Sequence, residues 1–178
     1  MSNNEETASA FKEGQSRVKA MALIHQKLYQ NDDFSSLDYA DYAKQLILEL
    51  SFVYPDAKKV TTAVHSENKL AFDIDTAIPL GLILNELISN AFKYAFADAE
   101  KGELNIIFKI LEEGTYQMIV QDNGAGLPKD FNFEKAKSLG LRLVRRLTKQ
   151  LYGKVLYQQE NGAKFSINFK DTNQRKLI

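Results

Sequence analysis

Apolar residues recur at helical spacing from about Glu5 to Tyr29, where Phe11, Val18, Met21, Ala22, His25, Leu28 and Tyr29 share one side. The acidic QNDDFSS that follows is turn-like. Ser36 stands where it can cap a second helix through LDYADYAKQLILELSFVY, up to Pro55. Alternation then takes over: KKVTTAVHS reads as a strand and LAFDI as a shorter one, ahead of an oily helix from IPLGLIL to AF. GELNIIFKIL and TYQMIVQD alternate on either side of a glycine turn and form a hairpin. GAGLPKDFNFEKAKS has no period, LGLRLVRRLTKQLY is helical and ends at Gly153, and KVLYQQ–ENGA–KFSINF closes the chain with an Asn161-Gly162 hairpin. Hairpins dominate where a doubly wound sheet would alternate strand and helix. The expected class is therefore α+β, a two-layer sandwich of helices on a mixed sheet, with a separate N-terminal helical arm.

Composition narrows the function classes without choosing one. Among 178 residues, 23 Lys plus Arg balance 23 Asp plus Glu, so no net field points to nucleic acid or to an anionic membrane. The absence of cysteine excludes disulfides and thiolate metal sites and fits a reducing, cytoplasmic setting. The oily run at 78–92 falls short of the roughly 18–20 residues of a membrane span, so no membrane contact is expected. MSNNEETASAF lacks the pattern of a secretory signal.

Three stretches carry candidate chemistry. In NELISNAFKY, Glu86, Asn90 and Lys93 fall within about 60° of one another on a helix otherwise covered by Leu80, Leu84, Leu87, Ile88, Ala91 and Ala95. A carboxylate, a carboxamide and an ammonium in that order suit a metal and a phosphate; they equally suit a solvated face. In DNGAGLP, Asp122 ends an apolar strand, where it suits an exocyclic amine, with Gly124 and Gly126 behind it; a plain turn has the same wording. In SLGLRLV, Ser138 is a helix cap and Gly140 opens the first turn, a place that favours phosphate and is also commonplace.

In order, these stretches resemble the N-box and two glycine boxes of the ATP-binding catalytic domain of two-component sensor histidine kinases, a superfamily shared with gyrase, the ninety-kilodalton heat-shock chaperones and mismatch-repair ATPases. Gly162-Ala163-Lys164-Phe165 resembles the Gly-Thr-x-Phe that ends the family's site, and SRVKAMALIHQKLYQ is similar to the second dimerisation helix of one subfamily. The resemblance implies a remnant of the dimerisation and phosphoacceptor region at 1–33, an ATP-binding domain at 34–172 and a tail at 173–178. It implies ATP and Mg²⁺ as ligands. Asn90 would ligate the metal, and Glu86 would position water or bind the metal through water. Lys93 would reach a phosphate and Tyr94 would cover the ribose or adenine. Asp122 would read the adenine amine, Gly124 and Gly126 would shape the pocket, and Gly140 and Leu141 would offer N–H groups to phosphate. Transfer of the γ-phosphoryl group to a histidine, relay to a response-regulator receiver domain and a homodimeric parent protein follow from the same likeness.

The chain departs from the family at four points. Ser138-Leu139 replaces a leading glycine, Ala163 replaces a threonine that supports the adenine-reading Asp, and the lid over 127–138 is short, with Phe131 and Phe133 as its aromatics. The fourth is the phosphoacceptor helix: Met1 falls almost directly before the second dimerisation helix, so the expectation is no acceptor and no autophosphorylation. His25 is expected to pack on the apolar face of its helix, and His65, at a strand end, has no assigned role. Two rival functions share the boxes. A degenerate scaffold module fits the changes at Ser138 and Ala163; a serine kinase of the anti-sigma-factor kind lacks the leading helix seen at 8–30.

Overall fold

Five of the six strands expected from alternation assemble into one mixed sheet in a computed structural model that describes residues 2–30, 37–112, 114–128 and 130–171. Val60–Ser66 (β2) pairs in parallel with Gly102–Glu112 (β4), which pairs antiparallel with Thr115–Asp122 (β5). Ala163–Lys170 (β7) lies antiparallel between β5 and Lys154–Gln159 (β6), giving the order β2-β4-β5-β7-β6. Leu104, Ile106 and Phe108 on β4 and Phe165, Ile167 and Phe169 on β7 turn to one face and are buried, as period-two patterning dictates. Leu37–Asp38 (β1) and Ala71–Phe72 (β3) form a separate two-stranded ladder that alternation showed only in its second half.

Three helices cover the inner face of the sheet. Tyr39–Val53 (α2) is capped by the Asp38 side chain, which accepts from Ala40 and Asp41 N–H; the expected cap Ser36 lies outside the described residues. Ile74–Asn90 (α3) is capped by Asp73 and buried almost all round, then runs into a wider turn over Ala91–Ala95. Leu139–Gln150 (α4) starts at Ser138, but the Ser138 side chain makes no capping hydrogen bond. The residue with positive φ after α4 is Tyr152 (51°), not Gly153.

Ser2–Gln30 (α1) lies against α3 and α2 rather than standing apart. Its buried positions are Ser16, Ala20 and Ile24, spaced by four and therefore on one stripe. Phe11 and Val18 on the expected face are 68% and 61% exposed, Ala22 is exposed, and His25 is exposed instead of packed. The Leu28 and Tyr29 side chains lie outside the described residues. Small residues let the helix approach closely, and Glu13, Ser16 and Arg17 meet polar partners that hydrophobic counting does not register. Tyr42 on α2 donates to the Ala20 carbonyl (3.4 Å), tying the two helices together.

Candidate functional site

One cavity of about 280 Å³ opens where the end of α3, the strand end of β5, the start of α4 and the start of β7 converge. Glu86, Asn90, Tyr94, Asp122, Gly126, Gly140 and Leu141 all line it, so motifs dispersed over 55 positions meet at one place. Leu87, Ala91, Val120, Leu127 and Phe165 supply an apolar wall. Lys93 and Gly124 do not line it.

At one end sits Asp122, 7% exposed. Its Oδ1 accepts from the N–H of Gly124 (3.0 Å) and of Ala163 (3.1 Å). Burial pushes this carboxyl above the ordinary aspartate range, against the opposing pull of those two N–H groups. Ala163 has no hydroxyl, yet its backbone holds the carboxylate directly. Gly124 contributes from behind the cavity wall: a Cβ there would run into the Ala95 carbonyl, which accepts from Ala125 N–H (2.9 Å).

At the other end the N-terminus of α4 faces the polar stripe of α3. A Cβ on Gly140 would stand 2.5 Å from Glu86 Oε2, so any larger residue there would push the Glu86 carboxylate aside. With no Ser138 side chain over them, the first-turn N–H groups are left for a ligand. Asn90 is half-buried and its carboxamide makes no hydrogen bond among the described residues. An amide oxygen completed by phosphate oxygens and water is a donor set that suits Mg²⁺.

The rest of the stripe is occupied by α1. Arg17 grips Glu86 with both arms, Nε to Oε1 at 2.7 Å and Nη2 to Oε2 at 2.9 Å, and Ser16 donates to Asn85 at 2.7 Å. Lys93 points to Glu13 (2.6 Å) and Ser9 (3.2 Å) rather than into the cavity, which Glu13 itself lines. Burial works against the Lys93 charge, but its contacts with Glu13 and Tyr94 outweigh that and hold the ammonium above the usual lysine range. Tyr94 is 62% exposed at the rim, with the Lys93 ammonium 5.1 Å from its ring centre.

Aromatic contacts and an arginine on α4 seat the described part of the lid. Phe133–Lys135 forms a short 3₁₀ turn; Phe133 is buried against Phe165, and Phe131 meets Tyr157 edge-on at 5.8 Å. Arg145 on α4 donates to the carbonyls of Phe133, Glu134 and Ala136. Among the arginines of LGLRLVRRLT, this one gave no sequence signal for a role at the lid.

Comparison with known proteins agrees with this geometry. The profile of histidine kinase-, DNA gyrase B-, and HSP90-like ATPases matches residues 75–173, more than half of the chain, and a histidine kinase profile matches residues 1–54. The sensor histidine kinase PdtaS of Mycolicibacterium smegmatis is 31% identical over 150 residues, 82% of this chain and 29% of that protein. Blue-light-activated histidine kinase 2 of Erythrobacter litoralis is 27% identical over 106 residues, 59% of this chain and 31% of its own length. The chain thus spans about three-tenths of these curated relatives. In three dimensions it is similar to the histidine kinase domain of a blue-light activated histidine kinase from Erythrobacter litoralis, with a TM-score of 0.79, 22% identity, and coverage of 93% of this chain and 78% of that one. At that identity the likeness speaks for the fold.

Proposed function

Because the chain belongs to the histidine kinase-, DNA gyrase B- and HSP90-like ATPase family, we propose that it is the Mg-ATP-binding catalytic part of a sensor histidine kinase. The γ-phosphoryl group is transferred to a histidine on a dimerisation helix, for relay to a response-regulator receiver domain. The observation that carries this reading is the single cavity with Asp122 at one end and Asn90, Glu86 and the start of α4 at the other. Asp122 accepts from the adenine amine, and its free oxygen is available because Oδ1 already serves two N–H groups. Gly140 and Leu141 offer N–H groups to phosphate, Tyr94 covers the ribose or adenine, Asn90 holds Mg²⁺, and Glu86 orders its water. The metal supplies charge neutralisation on phosphate oxygens, and the rest of the catalysis is in-line positioning by these residues.

Residues 1–33 then belong to the dimerisation region and 34–172 to the ATP-binding domain of a homodimeric, cytoplasmically acting parent. The histidine kinase match at 1–54 favours this over a serine kinase of the anti-sigma-factor kind. No helix among the described residues is long and apolar enough to cross a membrane. A fluorescent ATP analogue tests the core of the proposal: the parent chain binds it in a Mg²⁺-dependent way, and Asn90→Ala loses that dependence with about tenfold weaker affinity, as expected for a phosphate charge left uncompensated. Metal-independent binding by the parent overturns it.

A further inference from the structure

Glu86 is the carboxylate at the phosphate end of the cavity, and its orientation is dictated from outside the cavity. Of the roughly four lone-pair directions of a carboxylate, three accept: two from Arg17 and one from Asn85 Nδ2 at 3.3 Å. Oε2 in turn lies against Gly140, where a methyl group would displace the carboxylate. Arg17 does not line the cavity; it stands behind Glu86 on α1 and also reaches Glu13 (3.5 Å), which holds Lys93. The result is an unbroken row of alternating charge, Lys93–Glu13–Arg17–Glu86, in which the two middle members belong to α1.

We propose that Arg17 is a positioning residue that keeps Glu86 turned toward α1 and so prevents hydrolysis of the bound nucleotide, preserving its γ-phosphoryl group for transfer. The proposal rests on the nucleotide reading above. The suppressed reaction is the attack of water on the γ-phosphorus. The new P–O bond forms as the bond to the β,γ-bridging oxygen breaks, the electron pair leaves with the nucleoside diphosphate, and the water proton passes to a carboxylate. The one lone-pair direction left on Glu86 can hold a metal-bound water, and with the carboxylate plane fixed by the bidentate guanidinium none remains to take a proton from the attacking water. Whatever lifts α1 from α3 also frees this base, so hydrolysis is coupled to the position of the helix.

Steady-state hydrolysis of Mg-ATP by the full chain tests the assignment in the parent, Arg17→Met, Arg17→Lys and the double variant Arg17→Met/Glu86→Gln. The expected result is a kcat at least about tenfold higher in Arg17→Met with KM within about twofold of the parent. Arg17→Lys, which retains the charge but not the fork, falls between them, and the double variant loses the increase. A folded Arg17→Met chain that binds nucleotide but hydrolyses it no faster overturns the proposal, as does a double variant as fast as the single. Should Arg17→Met fail to fold, Arg17→Lys decides alone: a raised kcat at unchanged KM supports the assignment and a parental kcat overturns it. A parent chain that binds no Mg-ATP at all refutes the nucleotide reading instead, a result that equilibrium binding separates from the others.

Discussion

The two ends of the cavity are built by different means. The adenine end is local and made of backbone: Asp122 is held by N–H groups of Gly124 two residues on and of Ala163 on the neighbouring strand. The phosphate end is made of side chains that come from afar: Arg17 reaches Glu86 across 69 positions, and Glu13 reaches Lys93 across 80. Backbone donors fixed by a sheet cannot leave without undoing the sheet. Side chains on a helix docked by Ser16, Ala20 and Ile24 can leave together when that helix moves. On the proposed reading, base recognition is thus preorganised, whereas the electrostatics that would meet the phosphates depend on where α1 lies.

The sharpest break of this contrast is at Asp122. Asp122→Asn keeps an oxygen for Gly124 and Ala163 but presents an amine to the adenine amine, and the preference for ATP over GTP should fall by about 1–3 kcal/mol in competition binding. Stability should move the other way. Because burial raises the folded carboxyl above its ordinary value of 3.8, the native state retains a proton that the unfolded chain has lost, and parental stability declines as pH rises through that window. The Asn variant should therefore match or exceed the parent at neutral pH in urea unfolding, with the advantage fading as pH drops toward 3.8. A smaller effect is expected at the other end. Glu13→Gln removes a negative charge from the cavity wall and frees Lys93, so nucleotide affinity should rise about two- to fivefold, less at high salt. Unchanged affinity would mean that α1 already stands clear of the phosphates in solution. The smallest effect concerns neither end: Arg145→Met should speed amide exchange over 131–136 while α3 stays protected and overall stability changes by about 1 kcal/mol or less. Exchange there as slow as in α3 would give the seating of the lid to Phe131 and Phe133 instead.

How much of this was legible in the sequence follows the same division. The glycine boxes and Asp122 could be found because their geometry is fixed by neighbours in the chain, and the sheet because alternation marks both members of each hairpin. The polar stripe on α3 was visible, but whether it met solvent or a ligand was not, since its partner is α1. Helical periodicity marked one stripe on α1, and its members Phe11, Val18, Ala22 and His25 are left outside. The signal that was present was complementarity: Glu13, Ser16 and Arg17 match Lys93, Asn85 and Glu86 in charge and hydrogen-bonding type. Arg145 was illegible because an arginine serving three carbonyls leaves no mark on composition or period. The bare Ser138 hydroxyl and the positive φ of Tyr152 are likewise decided by packing around α4, not by local preference.

The long separation between α1 and its contacts also has a kinetic meaning. During synthesis α1 emerges before α3, and the stripe that will receive it is made some seventy residues later. Until then Ser16, Ala20 and Ile24 have nothing to bury against, and the closure that joins them to α3 spans a large loop. In the sheet, two of the four strand pairings, β4–β5 and β6–β7, are hairpins between consecutive strands, which close far shorter loops. Loop closure accordingly predicts that α1 docks late in folding and is among the first elements to come away when the native state opens in part.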